Sequence, residues 1–242
     1  RFFLILKKYN FFLIFYLFGQ NMPEKIVIYG LSAFSEMMYY NFTKYSDYTV
    51  VGFCVDQEYM KDESFCGLPV VAFEEIEEVY PTHDYKMFVA IGFSRMRNRA
   101  LLFNKAKAKG YSLVNFISPH AIIRDDLIIG ENNVIQSSVD IDLFVTIGDN
   151  NVFWTSSILG HNLVVGSHNY VSGNCGLGGN CVIGDACFIG NAAVMVNNLT
   201  IADETYLVSG AVIVKSTEAA CQYHGNPSKR IGRHADTGII IK

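Results

Sequence analysis

One large apolar residue recurs at every sixth position from Ile123 to Ile213, and this period constrains the fold more than any other feature of the chain. The positions are Ile123, Ile129, Ile135, Ile141, Ile147, Phe153, Leu159, Val165, Val171, Leu177, Ile183, Ile189, Met195, Ile201, Leu207 and Ile213, sixteen repeats without a slip of frame. Helical spacing is absent from this stretch. A lone hexapeptide cannot bury its apolar side chain, so the repeats must stack as coils of a solenoid around a shared core. Glycine follows the apolar position at 130, 148, 160, 166, 178, 184 and 190, as expected of a corner that a side chain would obstruct. With three hexapeptides per coil, residues 18 apart lie one above another.

That ruler decides the cysteine question. The six cysteines are Cys54, Cys66, Cys175, Cys181, Cys187 and Cys221, and none forms a CxxC pair. Cys175, Cys181 and Cys187 are six apart, which invites a zinc reading, but each falls at the small inward position of a successive repeat. Three faces per coil would spread them over different sides of the core, so one tetrahedral ion could not collect them. Free cysteines used as small core residues in a reducing compartment explain the spacing better, and no metal is expected.

Ahead of the repeat the pattern is that of alternating strands and helices. Lys25–Tyr29 is a short apolar run ending at Gly30. Ser32 can cap a helix reaching about Lys44, and Tyr48–Val55 reads as a second strand ending at Asp56. Gly67-Leu68-Pro69 marks a turn, and Phe73–Val79 a short acidic helix. Lys86–Ile91 is a further buried strand, ending at Gly92. Ser94 opens a basic helix that Gly110 stops after Lys109, and Tyr111–Ile117 makes the last strand. The expected fold class is therefore an α/β N-terminal domain, a small Rossmann-like parallel sheet, followed by a parallel β-helix of hexapeptide repeats. The boundaries read as 22–118 for the first domain, 119–216 for the second and 217–242 for a C-terminal tail.

Residues 1–21 contain two apolar runs, Phe2–Leu6 and Phe11–Phe18, interrupted by Lys7 to Asn10. Neither approaches the roughly 20 apolar residues of a membrane span. The preferred reading is a chain that begins at Met22, with 1–21 a non-native or disordered extension. The alternative is a membrane-surface anchor, the only membrane contact expected. Half of the residues are apolar and 17% charged, which excludes disorder for the whole chain. A formal charge of −4 excludes nucleic acid as the main partner.

A solenoid is only a scaffold, so function has to be read from side chains placed on it. His161 stands two places after an apolar position, where a side chain projects outward from a corner; histidine there suits a general base or a merely structural surface contact. The residue 18 beyond it is Gly179, whose bare N–H could bind a developing oxyanion, or which could be a simple turn residue. The paired cations in Gly225-Asn226-Pro227-Ser228-Lys229-Arg230 could face the phosphates of a cofactor or be a solvated surface. Gly30-x-Ser32 is not a full dinucleotide fingerprint. A glycine turn at a helix N-terminus, with Asp56 ending the second strand, suits a single nucleotide or a purely structural turn.

Taken in order, KIVIYG, VAIG at 89–92, NFISPHAII at 115–123, Gly160-His161, CFIGNAAVMVNNLTIADE at 187–204 and GNPSKR at 225–230 resemble the bacterial family of sialic acid O-acetyltransferases and nucleotide-sugar N-acetyltransferases. The resemblance covers residues 24–232. It implies a left-handed β-helix, a homotrimer with active sites between subunits, and acetyl-CoA or another acyl-CoA as donor. It also implies a nucleotide-linked amino sugar bound by the N-terminal domain and a cytoplasmic location. Residue by residue, it makes His161 the base with Asn162 beside it. It assigns Tyr170, Gly179, Asn191, Ser209 and Lys229 to the cofactor, and Gly30, Ser32, Asp56, Gly92 and Ser94 to the substrate. Two departures stand out: relatives often carry an acidic residue or a histidine where Asn162 stands, and some carry a histidine where Tyr170 stands. The expected reaction is acyl transfer to the amino group of a UDP- or dTDP-linked sugar. A sugar O-acetyltransferase, a zinc carbonic anhydrase of the same coil, and a non-catalytic nucleotide-sugar-binding scaffold remain alternatives. The zinc enzyme would need a third histidine beside His161 and His168.

Overall fold

The computed structural model describes residues 23–241, so the readings of residues 1–21 lie outside the described residues. Strand β1 (Lys25–Tyr29) leads through Gly30 into helix α1 (Ala33–Tyr45). Ser32 caps α1 in a reciprocal box with Ser35, each side chain taking the other's backbone N–H. Strand β2 (Thr49–Val55), a hairpin of β3 (Ser64–Phe65) and β4 (Leu68–Ala72), the short helix α2 (Ile76–Val79), β5 (Tyr85–Val89) and helix α3 (Met96–Ala108) complete the first unit. Its sheet runs β3-β4-β2-β1-β5, parallel apart from the β3–β4 pair. The turn read at Gly67 to Pro69 is narrower than expected: Cys66 and Gly67 take positive φ, and Leu68 already starts a strand that pairs with β2. Pro69 is accommodated there because β4 lies near the sheet edge.

The final strand expected over Tyr111–Ile117 divides between two structures. Leu113 bridges Met87 of β5, while β6 (Phe116–Ile117) pairs with Val134–Ile135 and forms the first rung of the solenoid. The chain leaves one sheet and enters the other within three residues, so the apolar run is continuous although the partners change.

From Ile122 the chain winds through two-residue strands, each ending at the apolar position of a repeat. Up to the last coil each strand pairs in parallel with the one 18 residues on, as Ile141 does with Leu159 and Val165 with Ile183. Three sheets result. The first holds the strands ending at Ile123 through Ile213, the second those ending at Ile129 through Ile201, and the third begins with β6 and runs through Leu207. The apolar positions fill the interior together with buried Cys175, Cys181, Cys187 and Cys221, all free thiols. Burial pushes the Cys187 thiol up to about 12 and Cys175 to about 11, so both stay protonated.

The corners turn at a different residue from the one the glycines suggest. Positive φ falls three places after the apolar position, at Asn132, Asn150, Asn162, Asn174, Asn180 and Asn198 among others. Asparagine tolerates that region better than most residues. The glycines answer a different demand: a Cβ on Gly148 would lie 2.8 Å from the Gly166 carbonyl oxygen, and one on Gly190 2.5 Å from the Ser209 nitrogen. They allow successive coils to approach. A ladder of asparagines, Asn115, Asn133, Asn151 and Asn169, braces one edge from within, each side-chain oxygen accepting the backbone N–H one coil further on.

The first unit sits on the outer face of the third sheet, where Val134, Val152, Tyr170 and Phe188 are buried. Each such side chain contributes about 1.5–3 kcal/mol when taken out of water. Polar contacts fix the register. Asn132 accepts from the Val89 N–H at 2.8 Å and donates to the Val89 carbonyl at 3.1 Å. The buried Arg99 donates to the Ile91 and Asn150 carbonyls and lies 5.9 Å over the Tyr170 ring.

Residues 217–241 of the segment read as a tail pack against the rest of the chain. Cys221–His224 and Lys229–Arg233 form a hairpin that extends the third sheet. The chain then returns to the first unit: the Ile239 carbonyl accepts the Met96 N–H, and the Ile241 N–H donates to the Ser94 carbonyl. Ser94 was expected to cap α3, but the residue at that place is Arg95 with no side-chain cap, and the tail carbonyl takes one orphan donor instead. Among the described residues no helix is long and apolar enough to cross a membrane.

Candidate active site

The candidate residues gather at two separate places. The first is a cavity of about 690 Å³ beyond the carboxyl ends of β1, β2 and β5. Strand order reverses between β1 and β5, and such a crevice is where open α/β sheets bind ligands. Gly30, Ser32, Asp56, Gly92 and Ser94 all line it. Gly30 has φ +130°, and a Cβ there would lie 2.8 Å from the Ala90 carbonyl oxygen, so this turn requires glycine. Asp56 is buried and doubly engaged: the Tyr29 hydroxyl donates to one oxygen, and Lys105 Nζ lies 2.7 Å from the other. Burial and the adjacent Asp56 carboxylate hold the Tyr29 hydroxyl far above its ordinary range, so it remains a donor.

Lys61, Tyr59, Asn98 and Lys105 also line this cavity and were missed by the sequence reading. Asn98, Leu101, Leu102 and Lys105 follow the 3–4–7 spacing of one helix face, and that signal was available. Asp56, Glu58 and Asp62 line the cavity beside two cations, Lys61 and Lys105, the second of which is paired with Asp56 at 2.7 Å.

The second place is the solenoid edge between the first and second sheets, where His161 is exposed. Its Nε2 faces the backbone of Gly179: a Cβ on residue 179 would come within 2.7 Å of Nε2 and 2.9 Å of two ring carbons. Its Nδ1 lies 3.0 Å from the Asn162 side-chain amide, which in turn lies 3.2 Å from that of Asn180. The oxyanion role expected of Gly179 meets an obstacle, because its N–H already donates to Asn197 Oδ1 at 2.9 Å. Gly179 provides space for the imidazole rather than a free donor.

The other positions assigned to the cofactor lie elsewhere within the chain. Tyr170 is on the third sheet, 5% exposed, stacked on Phe188 at 5.6 Å and covered by Phe93 at 4.9 Å. An outward position on that sheet is buried because the first unit packs against it, so Tyr170 is not open to an acyl group on this chain's His161 edge. Asn191 and Ser209 occupy the edge between the third and first sheets, where Asn191 Oδ1 accepts the Gly173 N–H at 3.0 Å. Lys229 is exposed on the C-terminal hairpin, and its neighbour Arg230 pairs with Glu218 at 2.6 Å.

His168 is on yet another edge, away from His161. It is half-buried against Phe103 of α3, with Asn150 2.9 Å from Nδ1. Burial lowers its pKa, and the nearby Arg99 lowers it further. His161 and His168 thus do not converge on one ion.

Comparison with known proteins agrees with this architecture. Residues 25–105 match the model of the PglD N-terminal domain. No curated protein sequence matches the chain at a significant level. The acetyltransferase domain of PglB from Neisseria gonorrhoeae FA1090 superposes with a TM-score of 0.77 at 23% identity, covering 86% of this chain and all of that one. The same domain is known in complex with acetyl coenzyme A. PerB from Caulobacter crescentus, solved with CoA and GDP-perosamine, gives 0.66 at 24% identity over 86% of this chain and 97% of its own. WeeI from Acinetobacter baumannii AYE gives 0.72 at 22% identity over 85% and 99%. The shared fold is an α/β domain followed by a left-handed parallel β-helix.

Proposed function

We propose that this protein transfers an acetyl or other short acyl group from coenzyme A to the amino group of a nucleotide-linked amino sugar. The observation that carries the reading is an exposed imidazole whose Nε2 is held over a bare glycine, on a solenoid attached to a nucleotide-sized cavity at a strand switch point. The match of residues 25–105 to the PglD N-terminal domain supports it, as do the CoA and GDP-perosamine held by a protein of the same fold.

In this reaction the amine nitrogen attacks the thioester carbon while His161 Nε2 takes the amine proton. Collapse of the tetrahedral intermediate breaks the carbon–sulfur bond, and the proton passes to the departing sulfur. Holding both substrates at one edge supplies much of the acceleration. The nucleotide would lie in the cavity against Gly30, Ser32, Asp56, Gly92 and Ser94, with Lys61 and Lys105 towards its phosphates.

The active unit in this reading is a homotrimer. The third sheet is covered by the chain's own first unit, whereas the outward positions of the other two sheets carry exposed Ile122, Ile158 and Val194 on the first and Ile128, Val164 and Val182 on the second. These faces flank the His161 edge, so association through them brings a neighbouring subunit against the base. Asn191, Ser209 and Lys229 would reach the acyl-CoA only from such an assembly, which is why one chain does not gather them, whereas Tyr170 is covered by its own chain's first unit and would stay out of reach. Acyl-CoA, a nucleotide sugar and unpaired cysteines together point to the cytoplasm.

The test is to offer acetyl-CoA with a panel of UDP-, dTDP- and GDP-linked amino sugars and follow thiol release. A productive pair is expected, and His161→Ala should lower its turnover about 10²–10⁴-fold. Turnover unchanged by that substitution in a folded protein would remove His161 from the mechanism.

A further inference from the structure

The Gly179 N–H, the natural donor for an oxyanion at this edge, is already taken, and the residue that takes it is built to replace it. Asn197 stands one coil beyond Gly179 and two beyond His161, at the same place of the repeat. Glycines let these coils close up: a Cβ on Gly160 would lie 2.6 Å from the Gly179 nitrogen, and one on Gly178 2.8 Å from the Asn197 nitrogen. Gly179 is thereby flanked by two side chains. The His161 ring fills the space of its missing Cβ, and the Asn197 amide meets its N–H at 2.9 Å.

A carboxamide can usually be turned either way, but a backbone N–H only donates. Asn197 must therefore present Oδ1 to Gly179, which turns its NH₂ the other way. Asn197 is exposed, and among the described residues that NH₂ has no partner. A neutral donor of fixed orientation thus opens onto the edge that carries the base.

The same bond elsewhere in the solenoid separates what is structural here from what is not. Asp149, Asp185 and Asp203 each accept, through Oδ1, the backbone N–H of the residue one coil before, at 2.7, 2.7 and 2.8 Å. Ser167 Oγ does the same for its neighbouring coil, taking the Asp149 N–H at 3.0 Å. Bracing a corner therefore needs an acceptor and no donor. Asn191 also braces with an amide, on the edge between the third and first sheets. At 197 the spare NH₂ stands beside His161, where a carboxylate would repel developing negative charge.

We infer that Asn197 is a catalytic residue whose side-chain NH₂ donates to the thioester carbonyl oxygen and holds the oxyanion of the tetrahedral intermediate. This rests on the acyl-transfer reading. As the amine nitrogen attacks, the carbonyl π pair moves onto oxygen against the Asn197 donor, and the amine proton passes to His161. When the carbonyl re-forms, the carbon–sulfur bond breaks, its electron pair leaves with sulfur, and the proton follows from His161. Gly179 then acts one step removed, by fixing the amide that performs the role.

Two substitutions keep the brace and remove the donor. Asn197→Asp is isosteric and repeats the bond of Asp185, whereas Asn197→Ser repeats that of Ser167, adds no charge and holds its hydroxyl nearer the backbone. Each should lower kcat about 10²–10³-fold, the usual cost of one oxyanion donor. Tm and the KM for acetyl-CoA should change little, because the bond strengthens only as charge develops. The contact itself is read without turnover, from infrared difference spectra of carbonyl-¹³C acetyl-CoA bound with no sugar present, since a donated hydrogen bond lowers the C=O stretch. The stretch should lie lower in the native protein than in either variant. Equal stretches in native and variant proteins, or an unchanged kcat in either variant, overturns the inference while leaving acyl transfer standing. A native protein that does not bind acetyl-CoA removes the acyl-transfer reading itself, and the inference with it.

Discussion

Gly179 gives His161 its position: the imidazole Nε2 occupies space 2.7 Å from where a Cβ on residue 179 would stand. The obstructed group is the end of an exposed side chain rather than backbone, so Gly179→Ala should fold normally and displace the ring. We expect kcat to fall about tenfold to a hundredfold, in line with the cost of misplacing a reacting group by an ångström, while Tm changes by no more than about 2–4 °C. Turnover assays beside thermal melts check this. Full activity in the alanine variant would mean that the ring's place over Gly179 is immaterial.

The same residue shows what the sequence could and could not disclose. The period of six located the rungs from Ile123 to Ile213, and counting by 18 set Gly179 over His161, because stacking in a solenoid is strictly periodic. What the period could not disclose was hydrogen-bond supply: Asn197 lies 18 beyond Gly179 and takes its N–H. The glycines after the apolar positions pointed to the corner but not to its dihedral, since close approach and left-handed backbone both favour glycine. Tyr170 failed for another reason. Its place in the repeat says that it faces outward, yet outward on the third sheet means beneath the first domain, and no local pattern announces which face another domain will cover. In the cavity, strand ends and their glycines were legible, whereas Lys61 and Lys105 came from a loop and a helix face that the strand pattern did not single out.

The domain junction makes stability depend on pH through His168. Its pKa is lowered in the fold, chiefly by burial, relative to an unfolded value of about 6.5. Below that unfolded value the unfolded chain binds a proton that the folded chain resists, so stability falls as pH drops from 6.5 through the lower folded pKa and then levels off. His234, also lowered by burial, acts in the same direction. Glu204, lowered by its Arg97 partner, adds a loss only below about 4.5. Thermal melts between about pH 7 and pH 5 should show a falling Tm, and His168→Asn should flatten part of that slope. An identical slope in the variant would remove His168 as a contributor.

Asn132 is the most exposed to test of the contacts that join the two units, because its amide satisfies both backbone groups of Val89. Asn132→Ala leaves a buried N–H and a buried carbonyl without that partner and deprives Asn150 of a 2.9 Å donor. At about 1–3 kcal/mol for each of the two unsatisfied buried groups, the loss should be about 2–6 kcal/mol, larger than expected for an ordinary corner asparagine. Urea unfolding followed by tyrosine and tryptophan fluorescence measures it. Asn174→Ala, at a corner of the same backbone conformation, provides the comparison. Equal losses at the two positions would mean that the Val89 contact contributes nothing beyond the corner itself.

The uncovered faces of the solenoid give the last prediction. Ile158 is 57% and Val164 45% exposed, on the two sheets that meet at the His161 edge. Aliphatic side chains repeated along two adjoining faces are what a self-association surface presents, and a charge placed at its centre must be desolvated on assembly. The native protein should sediment as a trimer, and Ile158→Glu or Val164→Glu as a monomer. Neither substitution disturbs an inward position, so circular dichroism should be unchanged. If the active site is completed by a neighbouring subunit, thiol release should fall in parallel with the trimer fraction as either variant, or the native protein, is diluted. A native monomer would remove the shared site. A monomeric variant with undiminished turnover would leave the assembly intact as a structure but place the whole of the chemistry on a single chain.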